Sequence, residues 1–146
     1  MSLSARDSRY AGAARAVVFS PDAVAEALLT QVPRAAFAFL LGSAKDGCVP
    51  AGGDLDLAIW YSGTARATWS LISRTIGVVE RAAPKTVCDL GILNSAGCVY
   101  RFEALKGRLL LCRPRWLEAY AGFYAQTCRE YEETMAAWHA WRSVAA

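Results

Sequence analysis

With 146 residues and 55 % hydrophobic content the chain suffices for one domain with a proper core, and its net charge of +3 is spread over dispersed lysines and arginines. No apolar run reaches the ~18 residues of a membrane span, and no basic patch interleaved with aromatics argues for direct reading of nucleic acid. The polar start, Met1 to Arg9, lacks the apolar core of a signal peptide, so the expected location is cytoplasmic.

Residues 1–19, where Arg6, Arg9 and Arg15 alternate with alanines, are expected to form an N-terminal arm or partial helix ahead of a single domain over 20–146. Ser20-Pro21-Asp22 offers a cap, a first-position proline and a first-turn acid, so a helix should run to about Val32. The apolar run 35–41 has the length and bounded ends of a buried strand, and so does 54–61. Residues 64–81 place Trp69, Ile72, Ile76 and Val79 at helical spacing, which suits a helix packed on a sheet. A third strand is expected over 86–93. Asn94 or Ser95 can cap a helix lasting to Lys106, with Gly107 as its terminator. A short strand over 108–112 completes a core of 35–112. From 115 to 142, Trp116, Tyr120, Phe123, Thr127, Tyr131, Thr134 and Trp138 share one face of a long helix of roughly 40 Å, more than so small a domain can cover. The end of that helix either frays or meets a partner or a second copy. Alternating strands and helices favour an α/β sandwich with a small mixed sheet.

Five cysteines, odd in number and without a Cys-x-x-Cys pair, weigh against a disulfide framework or a zinc site. His139, the only histidine, lies among Trp138, Ala140 and Trp141 and reads as a helix-surface or packing residue rather than the partner of a cysteine nucleophile.

The chemistry concentrates at Gly42-Ser43, ten residues, then Asp54-Leu55-Asp56. Residues two apart on a strand point to the same face, so Asp54 and Asp56 can aim at one spot while Leu55 faces the core. Such a pair suits Mg²⁺, a hard ion that takes one or two carboxylates plus substrate phosphates. Two ions could clamp the attacking and leaving oxygens of an in-line phosphoryl displacement. Gly42 lets backbone approach a phosphate closely, and Ser43 offers both an amide and a hydroxyl. Asp89 interrupts the apolar stretch 87–93. It is the candidate third carboxylate, to complete a metal shell or activate a hydroxyl nucleophile.

Through Gly42-Ser43, Asp54-x-Asp56, the Asp89 strand and Lys106-Gly107-Arg108-Leu109-Leu110-Leu111, the chain resembles the minimal nucleotidyltransferases (MNT) of the DNA polymerase β superfamily, over about residues 37–111. The resemblance implies the polymerase β-like nucleotidyltransferase fold, an α/β (α+β) architecture. It also implies that Asp54, Asp56 and Asp89 are catalytic and hold two Mg²⁺ ions, and that Gly42, Ser43 and Lys45 bind the nucleotide. Transfer of a nucleoside monophosphate, AMP from ATP, to a hydroxyl would follow. Relatives in this family serve as antitoxins that modify a helical HEPN ribonuclease, so a HEPN-type partner is implied, with a homodimer through the C-terminal helix as the alternative. One departure stands out. Where the family commonly has arginines after Gly-Ser and a serine before the first Asp, this chain has Ala44-Lys45-Asp46-Gly47 and Gly53. That motivates a second reading, a decayed binding module that regulates a partner without turnover. An aminoglycoside-type nucleotidyltransferase shares the metal motif but needs more chain for its drug pocket.

Overall fold

The computed structural model describes residues 16–145. The first fifteen residues of the expected arm lie outside that range. At its end Val17–Val18 (β1) pairs antiparallel with Cys48–Val49 (β3), and Phe19 is buried beside them. The main sheet has four strands in the order β5-β4-β2-β6: β2 is Ala35–Leu40, β4 Asp54–Tyr61, β5 Val87–Ile92 and β6 Arg108–Cys112. Strand β2 runs antiparallel to both neighbours, and β4 and β5 run parallel. Helix α2 (Trp69–Ala82) joins the parallel pair, because a parallel connection needs a crossover.

Helix α1 (Pro21–Gln31) begins as expected, with Ser20 Oγ accepting from the Ala23 amide at 3.2 Å. Together α1 and α2 cover one face of the sheet. Val24, Leu28, Val78 and Val79 pack there on Leu55, Leu57 and Ile59, the odd-numbered side of β4. Helix α3 (Cys98–Leu105) and helix α4 (Leu117–Ala145) cover the other face, where Ala104 and Phe123 meet Phe37, Phe39 and Ala58. Phe37 stacks on Trp60 with ring centroids 5.5 Å apart. This second cover is partial. It shields Ala58 and Trp60 but leaves the beginning of the same face of β4, Asp54 and Asp56, uncovered.

Several sequence expectations are corrected. The second helix starts at Trp69 with Thr68 as its cap, not at 64; Val79 is buried and Ile76 packs on the core as the spacing predicts, but Trp69 is 83 % exposed, and Thr75 and Val78 complete the inward face. Asn94 and Ser95 do not cap α3. Gly97 does, without a side-chain bond, while the Asn94 amide clamps both backbone groups of Tyr61 at 2.8 and 2.9 Å. Helix α3 is capped at its end by Lys106. Gly107 matters for another reason, since a β-carbon there would run into the Leu40 carbonyl oxygen. The long helix continues to Ala145.

Candidate active site

The expected acids come together where β4 and β5 begin. The parallel register sets Asp54 beside Val87 and Asp56 beside Asp89. Adjacent strands lie about 4.8 Å apart, so Asp56 and Asp89 are immediate neighbours across the sheet, with Asp54 two residues along the same face. Asp54 and Asp89 are exposed, and Asp56 is half-buried. Burial first, then the Asp89 and Asp54 carboxylates and a hydrogen bond with the Asp89 side chain, holds the Asp56 carboxyl above its ordinary value.

The glycine-serine loop reaches the same spot. Where β2 ends, the Leu41 amide donates to the Asp56 carbonyl at 2.9 Å, which ties the loop to β4. Gly42 then adopts φ +58, a conformation that L side chains rarely tolerate, and a β-carbon there would stand 3.5 Å from Asp56 Oδ2. Residues Gly42–Asp46 coil into a 3-10 turn that leaves Ser43 and Lys45 exposed and turns Ala44 into the core. Lys45 shares with Gly42 and Asp56 a cavity of about 470 Å³, whose far wall is Glu103, Lys106 and Gly107 at the end of α3. Arg108, the first residue of β6, donates to the Lys45 carbonyl at 3.4 Å and adds a further cation beside the loop.

The structure thus brings Gly42, Lys45 and Asp56 to one cavity and puts Asp89 on its β5 side. The α3 wall was not foreseen. Its residues, Glu103, Lys106 and Gly107, lie at the end of α3 and just past it, where the sequence offered Gly107 only as a helix terminator. Lys106 Nζ bonds Glu103 Oε1 at 2.7 Å, so the wall carries both signs of charge. Tyr100 lies across Gly91 of β5, where a β-carbon would collide with its hydroxyl and ring. Burial, then the Asp89 and Asp56 carboxylates, raises the Tyr100 phenol above its ordinary value.

Among the described residues no three His, Cys, Asp or Glu side chains form a ready metal cage. The oxygen donors of Asp54, Asp56 and Asp89 nevertheless suit Mg²⁺, which leaves part of its shell to substrate phosphates. Burial first and the neighbouring carboxylates second raise the Asp56 carboxyl, and a divalent cation would relieve the second of these.

A small mixed sheet with helices on both faces, an Asp-x-Asp strand beside a glycine-serine turn and a third acid on the next strand define the nucleotidyltransferase fold. No family model and no curated protein matches the sequence. Solved structures do. A chain of a mutant MntA–HpeT toxin–antitoxin structure has a TM-score of 0.67 at 19 % identity, covering 88 % of this chain and 100 % of that one. A chain of a toxin–antitoxin structure with AMP-PNP has a TM-score of 0.63 at 22 % identity, with the same 88 % and 100 % coverage. A third, from a tri-AMPylated Shewanella oneidensis HEPN toxin in complex with MNT antitoxin, has 0.58 at 20 % identity, covering 86 % and 96 %. At these identities the likeness establishes the fold that this chain shares with them.

Proposed function

We propose that this chain is a Mg²⁺-dependent nucleotidyltransferase that moves AMP from ATP to a hydroxyl of a HEPN-type protein partner, as the antitoxin of a cytoplasmic toxin–antitoxin pair. The observation that carries this reading is the Asp56–Asp89 register beside Gly42, two acids on neighbouring strands next to a phosphate-compatible turn. In this reading Asp54, Asp56 and Asp89 hold the metal, which when bound supplies Lewis-acid stabilisation of the transferring phosphoryl group. The Gly42 and Ser43 amides, the Ser43 hydroxyl and Lys45 hold the β- and γ-phosphates, with Lys106 and Arg108 near enough to share their charge. The α-phosphorus then lies over Asp56, and the acceptor hydroxyl enters from the Asp89 side, where that carboxylate takes its proton. The AMP-PNP in one similar structure and the AMPylated toxin in another support this chemistry by analogy.

The partner reading draws on α4. Only Phe123 and Thr127 are buried along its 29 residues, and Trp138 and Trp141, 48 % and 61 % exposed, stack on each other at 5.2 Å near its end. The test pairs the purified chain with a HEPN protein in Mg-ATP and weighs the HEPN protein intact. Added AMP that disappears with EDTA and with Asp54→Asn supports the proposal. The binding-module reading rests on the same helix. It gains ground when Asp54→Asn/Asp56→Asn leaves inhibition of the HEPN ribonuclease unchanged.

A further inference from the structure

We propose that Tyr100 is itself a nucleotidyl acceptor, so that the chain attaches AMP to its own Tyr100; this rests on the nucleotidyltransferase reading above. Asp89 and Gly91 are two apart on β5 and share a face of the sheet, the face that carries Asp56 on β4. Gly91 has no side chain, and the Tyr100 hydroxyl occupies the place where one would be. That sets a hydroxyl in the row next to Asp89, on the side of Asp56 opposite the Gly42 loop. Across the sheet the order is therefore phosphate turn, Asp56, Asp89, with Tyr100 one residue pair further along β5. A triphosphate lying on Gly42 and Lys45 carries its leaving pyrophosphate toward the loop and offers the opposite side of its α-phosphorus toward Asp89, the in-line direction for attack.

The other described tyrosines lack this placement. Tyr61 is buried on the opposite face, its hydroxyl 2.6 Å from Thr75 Oγ1. Tyr120 packs on Phe37, Tyr131 stacks on Phe102 at 3.8 Å, and Tyr124 stands outward on α4. Tyr100 itself is 37 % exposed and lies beyond the residues that line the Gly42–Asp56 cavity, so a nucleotide held there has to reach past Asp56 toward β5 to meet it.

The step balances without oxidation or reduction. The Tyr100 phenolic oxygen bonds to the α-phosphorus of ATP, the bond from that phosphorus to the oxygen bridging the β-phosphate breaks, and pyrophosphate leaves. The phenolic proton passes to the Asp89 carboxylate. The product, AMP esterified to Tyr100, fills the acceptor side of the cavity, so modification would compete with transfer to any partner.

The experiment incubates the full chain with Mg-ATP and no partner, measures intact mass, and maps the label by peptide sequencing, while a parallel melt records stabilisation by Mg-ATP. One AMP on Tyr100, lost in a folded Tyr100→Phe and retained in Tyr124→Phe, is the expected result. Stabilisation by Mg-ATP with no AMP on Tyr100 overturns this proposal and leaves the nucleotidyltransferase reading standing. Neither stabilisation nor label overturns both. A label that persists in Tyr100→Phe assigns the acceptor elsewhere and also overturns the proposal.

Discussion

Replacing Asp56 by asparagine should make the metal-free protein more stable while removing its response to Mg-ATP. Asp56 lies one strand spacing from Asp89, with Asp54 on the same face. At about 5 Å two carboxylates repel by ~3 kcal/mol at an effective dielectric of ~20, and by under ~1 kcal/mol in bulk water. Asp56 is half-buried and Asp89 exposed, so the pair lies between these limits. Removing one charge should therefore stabilise the metal-free chain by about 1–2 kcal/mol, or about 3–6 °C in melting midpoint. The sign with pH follows from the raised Asp56 carboxyl. Stability that the wild type has in full below the ordinary value of 3.8 is lost as pH rises through the higher folded value. The advantage of Asp56→Asn should accordingly appear at neutral pH and shrink in acid. Urea unfolding in EDTA at both pH values measures it. The second half of the prediction reverses the order of the two proteins. At about 100 times its Kd, Mg-ATP should add ~2.7 kcal/mol to the wild type and little to Asp56→Asn. An Asp56→Asn chain no more stable than wild type in EDTA would falsify the crowded-acid account. One that responds fully to Mg-ATP would remove Asp56 from the site.

Three further outcomes can be checked independently. Arg113 follows β6 and donates to the carbonyls of Ala35, Leu29 and Val32 at 2.6, 2.9 and 3.1 Å, tying the end of α1 to the sheet, so Arg113→Met should cost about 2–4 kcal/mol in urea unfolding. A loss below ~1 kcal/mol would show that water replaces those bonds freely. Gly91→Ala should destabilise by about 1–3 kcal/mol through its collision with Tyr100, and that cost should vanish when Tyr100→Ala is already present; additive costs in the double-mutant cycle would break the link. Burial, then Glu80, Asp89 and Asp56, pushes the Cys88 thiol up to about 12, so in folded protein at mildly alkaline pH iodoacetamide should leave Cys88 unmodified. Peptide mapping that finds it alkylated before unfolding contradicts the burial.

Strands were easiest to read in the sequence because their signal is local. The β4 boundaries at Asp54 and Tyr61 fall where an alternating apolar run meets polar flanks, and register alone then decides that Asp56 and Asp89 become neighbours. Helix α2 was harder. Trp69 kept the helical spacing but is the first residue of the helix and stands in solvent, so apolar character did not imply burial. Asn94 has the side chain of a good cap, yet it serves Tyr61, a partner 33 residues away that no local rule could name. The α3 wall of the site escaped for a related reason. Glu103, Lys106 and Gly107 become site residues only through the close approach of Gly107 to Leu40, which depends on where α3 lies against β2.

That approach also bears on the loop whose composition departs from the MNT pattern. Ala44 follows Gly42-Ser43 where an arginine is common in the family, which on sequence alone suggested a decayed phosphate site. In the folded chain Ala44 is 1 % exposed and packs in the same cluster as Val49 and Leu55, so a guanidinium there would be buried rather than aimed at a ligand. Asp46 lies at the far end of the 3-10 turn and does not line the cavity, whereas Lys45 does. Positive charge then arrives from outside the loop, from Lys106 at the end of α3 and from Arg108 at the start of β6, against the Lys45 carbonyl. Cations therefore stand beside the loop even though Ala44 is buried, and three acids lie on the neighbouring strands. The composition of the loop is thus no argument by itself for a decayed site, and the Asp56→Asn measurements in EDTA and in Mg-ATP discriminate the working enzyme from the binding module.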